Sequence, residues 1–173
     1  RLRDELGEAK LNRAIKRFLD KHKFGAVPYP TTLDFLKEIR AEATPAQQQL
    51  ITDLFEKISF YDNRVVEATA KKRPDGQYDV TLKLHADKRY ADGQGKETAG
   101  QLDDWVDIGV FAKGTTDKER DQRVLYLQRH HITQANPELT VTVDALPTEA
   151  GFDPYNKLID RVSSDNRKKV TLQ

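Results

Sequence analysis

The sequence predicts an α+β protein, with an N-terminal three-helix segment in residues 1–60 and an antiparallel immunoglobulin-like β-sandwich in residues 61–173. Two observations lead to this prediction. In the first third of the chain, apolar residues recur at the three- and four-residue spacings of amphipathic helices. After residue 60 they alternate with polar residues, and Gly- and Asp-rich stretches separate the alternating segments, as is typical of short antiparallel strands.

The first predicted helix contains residues 11–22, where apolar side chains gather on one face and most charged ones lie on the other. The apolar set is Leu11, Ile15, Phe18, Leu19 and His22. The stretch FGAVPYP ends this helix, because Gly25 suits a C-terminal cap and Pro28 and Pro30 resist helical continuation.

Start signals mark two further helices. Thr31 or Thr32 can cap the second, and Thr44 is the predicted N-cap of the third. Pro45 suits the first helical position there, and Gln47 can complete a capping box. The apolar faces are Leu33, Leu36 and Ile39 in the second helix and Leu50, Ile51, Leu54, Phe55 and Ile58 in the third.

Strands are predicted wherever the alternation has a period of two. The clearest case is QYDVTLKLHADKRY, which follows the turn signal PDG. The other candidates are RVVEATAKK, DWVDIGVFA, RVLYLQRHHI and ELTVTVDA. AGFDPYNKLIDR can add a final edge strand, and the basic residues after it are expected to form a frayed tail.

Composition excludes several classes of protein. Charged residues are 33% of the chain but the formal net charge is only +1, which argues against a nucleic-acid-binding protein. There is no cysteine, so disulfides, thiolate zinc sites and cysteine nucleophiles are excluded. No apolar run approaches the ~20 residues of a membrane span, and no signal peptide is apparent. Because the chain begins at Arg1, we expect a soluble piece of a longer protein.

Adjacent histidines, His130 and His131, are the first candidate for a metal or catalytic site. In a strand their side chains point to opposite faces, so they cannot both bind one ion. His22 and His85 have no carboxylate or histidine at a metal-ligand spacing. We therefore predict no metal-binding residue in this chain.

Two other stretches favour structural over catalytic roles. ADGQGKETAG lacks the GxxxxGK[ST] spacing of a phosphate loop and is predicted to be a solvated hairpin loop. In LDDWVDIGVF, Trp105 is expected in the core or between the sheets, and Asp103, Asp104 and Asp107 are expected to form a polar strand start. No serine lies in a GxSxG elbow, so no catalytic residue is predicted.

The order of these parts resembles a known family. LNRAIKRFLDKHKFG, TTLDFLKEIRAEA and LITDLFEKISFYDNRVVEATA are similar to the region downstream of the zinc site in gluzincin aminopeptidases of the aminopeptidase N type. PYPTTLDFL, YADGQGKET, LDDWVDIGVFA and GFDPYNKLIDR resemble the C-terminal end of bacterial membrane proteins that fuse an ABC-type permease to such a peptidase-like module. The resemblance covers nearly the whole chain.

This resemblance implies a non-catalytic, extracytoplasmic (periplasmic) fragment of a cytoplasmic-membrane protein. The family holds zinc with an HExxH helix and a later glutamate, and this sequence contains no HExxH. No catalytic, cofactor-binding or metal residue is therefore carried over, although the parent protein could hold zinc. The implied partners are the parent's own peptidase-like domain and membrane spans, and no nucleic acid. The alternative is an immunoglobulin-like binding module whose loops capture a protein or peptide.

Overall fold

The computed structural model describes residues 1–114 and 122–173, which form an α+β protein with two compact units. We call Arg1–Ile58 the helical unit and Ser59–Gln173 the β unit. The described residues contain four helices: α1 Leu2–Leu6, α2 Glu8–His22, α3 Thr32–Glu42 and α4 Pro45–Phe55.

The expected number of three helices is wrong because the sequence pattern does not indicate α1. This helix has five residues, too few to display a helical period. Gly7 separates α1 from α2 with a φ of 85°, a conformation that glycine adopts readily. Leu6 is nevertheless buried, so α1 contributes to the core of the helical unit.

Capping boxes begin α3 and α4. The Thr44 backbone N–H donates to Gln47 Oε1 at 3.0 Å, as the sequence predicts. The Thr31 N–H donates to Asp34 Oδ2 at 2.8 Å in the same way. These contacts satisfy backbone donors that the first helical turn leaves without intrahelical partners.

The helical unit has a small core and a set of exposed ion pairs. Its buried core side chains are Leu6, Ala14, Leu36, Ile39 and Ile51. Arg13 and Arg17 of α2 both contact the Glu42 carboxylate of α3, and Arg17 Nε also lies 3.0 Å from Glu38 Oε2. These ion pairs join the two helices at the surface, where such contacts are individually weak.

The described part of the β unit forms two sheets. One has the order β3-β2-β1-β9, with β6 also pairing with β2, and the other has the order β5-β4-β7-β8. All registered pairs are antiparallel except β1 with β9. The strands are β1 Ile58–Lys72, β2 Tyr78–Ala91, β3 Glu97–Ala99, β4 Asp104–Lys113, β5 Gln122–Ile132, β6 Glu138–Val143, β7 Glu149–Phe152, β8 Arg167–Lys169 and β9 Thr171–Leu172.

Residues of both sheets form one buried core. Alternate residues of β2 and β4 supply much of it, because successive side chains of a strand point to opposite faces. The largest wholly buried apolar side chains that these two strands and β7 contribute to it are Val80, Leu82, Leu84, Val106, Ile108, Val110 and Phe152. The alternation in the sequence therefore corresponds to real burial.

The last fifteen residues join the two sheets. The Tyr61 and Val65 N–H groups of β1 donate to the carbonyls of Ile159 and Asp165, at 2.9 and 3.2 Å. The chain then enters the other sheet as β8, which pairs with β7, and returns to β1 as β9. The prediction of a frayed basic tail is therefore wrong, because these residues pair with strands that the local sequence does not reveal.

Candidate functional site

The adjacent histidines have separate surroundings. The His131 ring stacks on Trp105 with centroids 5.1 Å apart, and its Nε2 contacts an Asp103 carboxylate oxygen. His130 Nε2 lies 2.7 Å from the Tyr126 hydroxyl. Burial lowers the pKa of His130 below its ordinary value. The two rings take part in different contacts and do not form one ligand set.

Trp105 does not occupy the core, and the expectation that it would is wrong. Its side chain is 50% exposed. The register of β4 explains this position, because Asp104 and Val106 are buried on either side of it and Trp105 pairs with His131. The single tryptophan of the chain therefore belongs to the outer surface of its sheet.

The three aspartates near Trp105 do not converge. Asp103 contacts His131 at the surface, while Asp107 is buried and lies 2.8 Å from Lys157 Nζ. β4 begins at Asp104, as the predicted polar strand start implies, but Asp104 is buried and Asp103 lies just before the strand. Since each carboxylate has a different partner, they form no general acid–base pair.

The remaining sequence candidates form no visible site. Among residues 1–114 and 122–173, no group of three or more His, Asp or Glu side chains is arranged to hold a metal ion. His85 Nδ1 lies 3.0 Å from Asn136 Oδ1 at the surface, and His22 lies beside the Phe18 ring. The glycine-rich stretch connects β2 to β3 as an antiparallel hairpin, as predicted.

A shallow surface depression of about 390 Å³ lies at one end of the second sheet. Its described lining consists of Ala112, Lys113, Gln122, Thr148, Glu149 and Lys169. The Glu149 carboxylate accepts a hydrogen bond from Gln122 Nε2 and pairs with Arg167, both at 2.8 Å. Glu149 is thus already in an ion pair with Arg167, and it is the only carboxylate among the described lining residues.

Sequence reasoning missed a buried polar cluster of Tyr61, Lys88 and Asp104. Lys88 Nζ lies 3.1 Å from Asp104 Oδ2, and the Tyr61 hydroxyl donates to Asp104 Oδ1 at 2.9 Å. Burial, followed by the Asp104 charge, raises the pKa of Tyr61 above its ordinary value. A signal existed in the sequence, because Lys88 continues the alternate-residue row of Leu84 and Ala86 that faces the core.

An exposed apolar surface lies around the connection between α2 and α3. We call it the α2–α3 surface, and it consists of Leu19, Phe24, Val27, Tyr29 and Leu33. Phe24 is fully exposed, and Val27, Tyr29 and Leu33 are exposed by 73%, 74% and 73%. Phe24 also has a φ of 58°, which is unfavourable for a bulky residue. Large apolar side chains that are exposed close together along a chain favour an interaction surface.

A second group of apolar side chains is exposed at the end of the helical unit. Leu54 and Phe55 belong to the predicted apolar face of α4, and Ile58 follows them. The side chains of all three are exposed, whereas Ile51 on α4 is completely buried. The helices thus carry wider apolar faces than their own core covers.

Comparisons with known proteins give no further assignment. No family model, curated protein or solved structure matches this chain. Across the residues that the structure describes, no helix combines the length and the apolar character needed to cross a membrane. The features that bear on function are therefore the α2–α3 surface and the family resemblance of the sequence.

Proposed function

We propose that this chain is the non-catalytic C-terminal part of a membrane-attached, zinc aminopeptidase-like protein fused to an ABC-type permease. The helical unit completes the core of the parent's peptidase-like domain. The β unit is an immunoglobulin-like sandwich that packs against that domain and shapes substrate access. Any zinc belongs to the parent, and the module is extracytoplasmic.

The single observation that best supports this proposal is the α2–α3 surface. Leu19 and Leu33 belong to faces that the sequence predicts to be buried, yet both are exposed. Burying such a side chain contributes about 1.5–3 kcal/mol. A preceding domain that covers Leu19, Phe24, Val27, Tyr29 and Leu33 would account for a surface that is unfavourable in water.

The decisive experiment extends the chain upstream in its own reading frame and compares the long and short proteins. An HExxH helix followed by a glutamate, with hydrophobic spans before it, is expected there. In the long protein, Phe24→Ser and Leu33→Ser should each lower the free energy of unfolding by about 1.5–3 kcal/mol. In the 173-residue chain, each should change it by less than about 0.5 kcal/mol.

Ile159→Ser is the matched control, because Ile159 is an exposed apolar residue of the β unit. It should have a small effect in both proteins. An upstream frame with no peptidase-like domain would contradict the proposal, as would equal effects of Phe24→Ser in both proteins. Chelator-sensitive hydrolysis of an aminoacyl substrate by the short chain would contradict its non-catalytic role.

A second candidate function is an extracytoplasmic binding module for a protein or peptide. The half-exposed Trp105, stacked on His131, favours it, because tryptophan is enriched among the residues that dominate binding energy. Selective capture of a partner that Trp105→Ala abolishes, while Phe24→Ser leaves it unchanged, would favour this function over the first.

A further inference from the structure

The buried cluster of Tyr61, Lys88 and Asp104 connects the two sheets. Tyr61 of β1 and Lys88 of β2 belong to one sheet, and Asp104 of β4 belongs to the other. Their exposed fractions are 6%, 2% and 6%. Burying an ammonium–carboxylate pair costs hydration free energy, and the attraction between the two charges compensates for only part of that cost. A reaction that removes both charges would relieve this penalty.

The amine of Lys88 is held against the carboxyl group of Asp104. Its Nζ lies 3.1 Å from Oδ2 and 3.3 Å from Oδ1, so it contacts both oxygens. The ring centroids of Tyr61 and Tyr90 lie 5.6 and 5.7 Å from the same nitrogen. Groups that a protein holds in a reactive arrangement behave as if their concentration were about 10⁵–10⁸ M.

We propose that the Lys88 amine and the Asp104 carboxyl group condense to an amide that joins the two sheets covalently. A proton first passes from the Lys88 ammonium to Asp104 Oδ2, which leaves the neutral amine as the nucleophile. Nζ then forms a bond to Cγ, and the bond from Cγ to Oδ2 breaks. Oδ2 leaves as water with its own proton and one from Nζ. The reaction requires no oxidant and no cofactor.

Tyr61 supplies a hydrogen bond where negative charge develops. Its hydroxyl donates to Asp104 Oδ1 at 2.9 Å, and Oδ1 is the oxygen that becomes the amide carbonyl. A donor placed in advance at such an oxygen stabilises the tetrahedral intermediate. After the condensation the same hydrogen bond satisfies the carbonyl, and the buried charge of the pair is gone. The burial that favours the condensation also protects the amide from hydrolysis.

The test is the intact mass of the purified 173-residue chain under denaturing conditions. The expected mass is lower than the sequence mass by one water molecule, and tandem fragmentation should find a branched peptide linking residues 88 and 104. The full sequence mass would overturn the proposal and identify the contact as an ion pair. A water loss located at any other residue would overturn it as well.

Three variants locate the bond. Lys88→Met removes the nucleophile and should restore the full mass, so a water loss that persists in it contradicts the proposal. Asp104→Asn should lose one ammonia molecule in place of water, because a carboxamide condenses with an amine in that way. Tyr61→Phe should lower the cross-linked fraction while retaining the ring. The mass of the unaltered chain decides the question even if a variant does not fold.

Discussion

The two units differ in how much of their apolar surface they bury. The helical unit, which is described throughout, has five buried core side chains. In the described part of the β unit, the core comprises seventeen. The helical unit adds weak surface ion pairs such as Arg17–Glu38 to its small core, whereas the β unit has the larger apolar core. The β unit therefore has a large core of its own, whereas the helical unit has apolar faces that its small core does not cover.

The largest expected effect is on the core of the β unit. Phe152→Ala should lower the free energy of unfolding by about 3–5 kcal/mol, because Phe152 is completely buried and the change leaves a cavity. Trp105, the only tryptophan, reports this transition by fluorescence in a urea titration. Val66→Ala is the control, since Val66 is half-exposed on β1 and should change the value by less than about 0.5 kcal/mol. Equal effects of the two variants would show that burial in the β-unit core does not determine the loss of stability.

The next prediction concerns the small core of the helical unit. Ile39→Ala should destabilise it by about 2–5 kcal/mol, because Ile39 is wholly buried among few other core residues. We expect a loss of helical circular dichroism while the Trp105 fluorescence transition stays in place. A shift of the Trp105 transition by the same free energy would show that the two units unfold together and would break the comparison.

A smaller effect is expected at Gly109, within the second sheet. A Cβ at this position would lie 2.6 Å from Phe111 Cζ and 3.3 Å from Pro154 Cγ, so one of these rings must move. Gly109→Ala should therefore lower the free energy of unfolding by about 1–3 kcal/mol. Gly93→Ala is the matched control, because a Cβ there meets no heavy atom within 4 Å. A loss of similar size in that control would show that glycine flexibility, not close packing, explains the effect.

The smallest effect is the acid sensitivity of the helical unit. Hydrogen bonds from Lys16 and then Lys23 lower the pKa of Asp20 from 3.8 to about 2, and Arg17 lowers the pKa of Glu38 and Glu42. The pKa values of these carboxyl groups are lower in the folded state than in the unfolded state. Their ion pairs therefore stabilise the fold at pH above the unfolded-state pKa values. This stabilisation is lost as the pH falls through the folded-state pKa values.

The stabilisation by the Asp20 ion pairs should be lost between pH 3.8 and about pH 2. An NMR titration of its carboxyl group should show a midpoint near 2, and Lys16→Gln should raise that midpoint. Lys10→Gln serves as the control, because Lys10 is a partly exposed residue of the same helix and is not among the causes of the shift. An unchanged midpoint in Lys16→Gln would contradict the assigned cause.

The sequence predicts those parts of the fold that depend on local pattern. The capping box at Thr44 and the alternation through Leu82 and Leu84 both correspond to observed elements. The strands β8 and β9 have three and two residues and form only because other strands lie beside them, so no local pattern indicates them. The prediction that Trp105 lies in the core is wrong because hydrophobicity alone does not determine which face of β4 is inside.

The candidate surface was predictable only in part. Periodicity identifies Leu19 and Leu33 as apolar face residues, but it cannot indicate whether the chain itself covers them. Phe24 and Tyr29 belong to a connection without periodicity, so their exposure follows only from the three-dimensional arrangement. The cluster around Lys88 was predictable from its position in the core-facing row of β2, although its partners in other strands were not.

The joining of the sheets by residues 159–173 has a consequence for biosynthesis. Among the described residues, the backbone partners along one edge of β1 come from residues 159–173. Ribosomes add about 5–20 residues per second, so roughly 4–17 s separate the completion of β1 from the arrival of the segment that covers it. During that interval a long strand edge is open to pairing with other nascent chains. The β unit is therefore most vulnerable to aggregation while it is being translated, and a chaperone that covers strand edges would act on it at that stage.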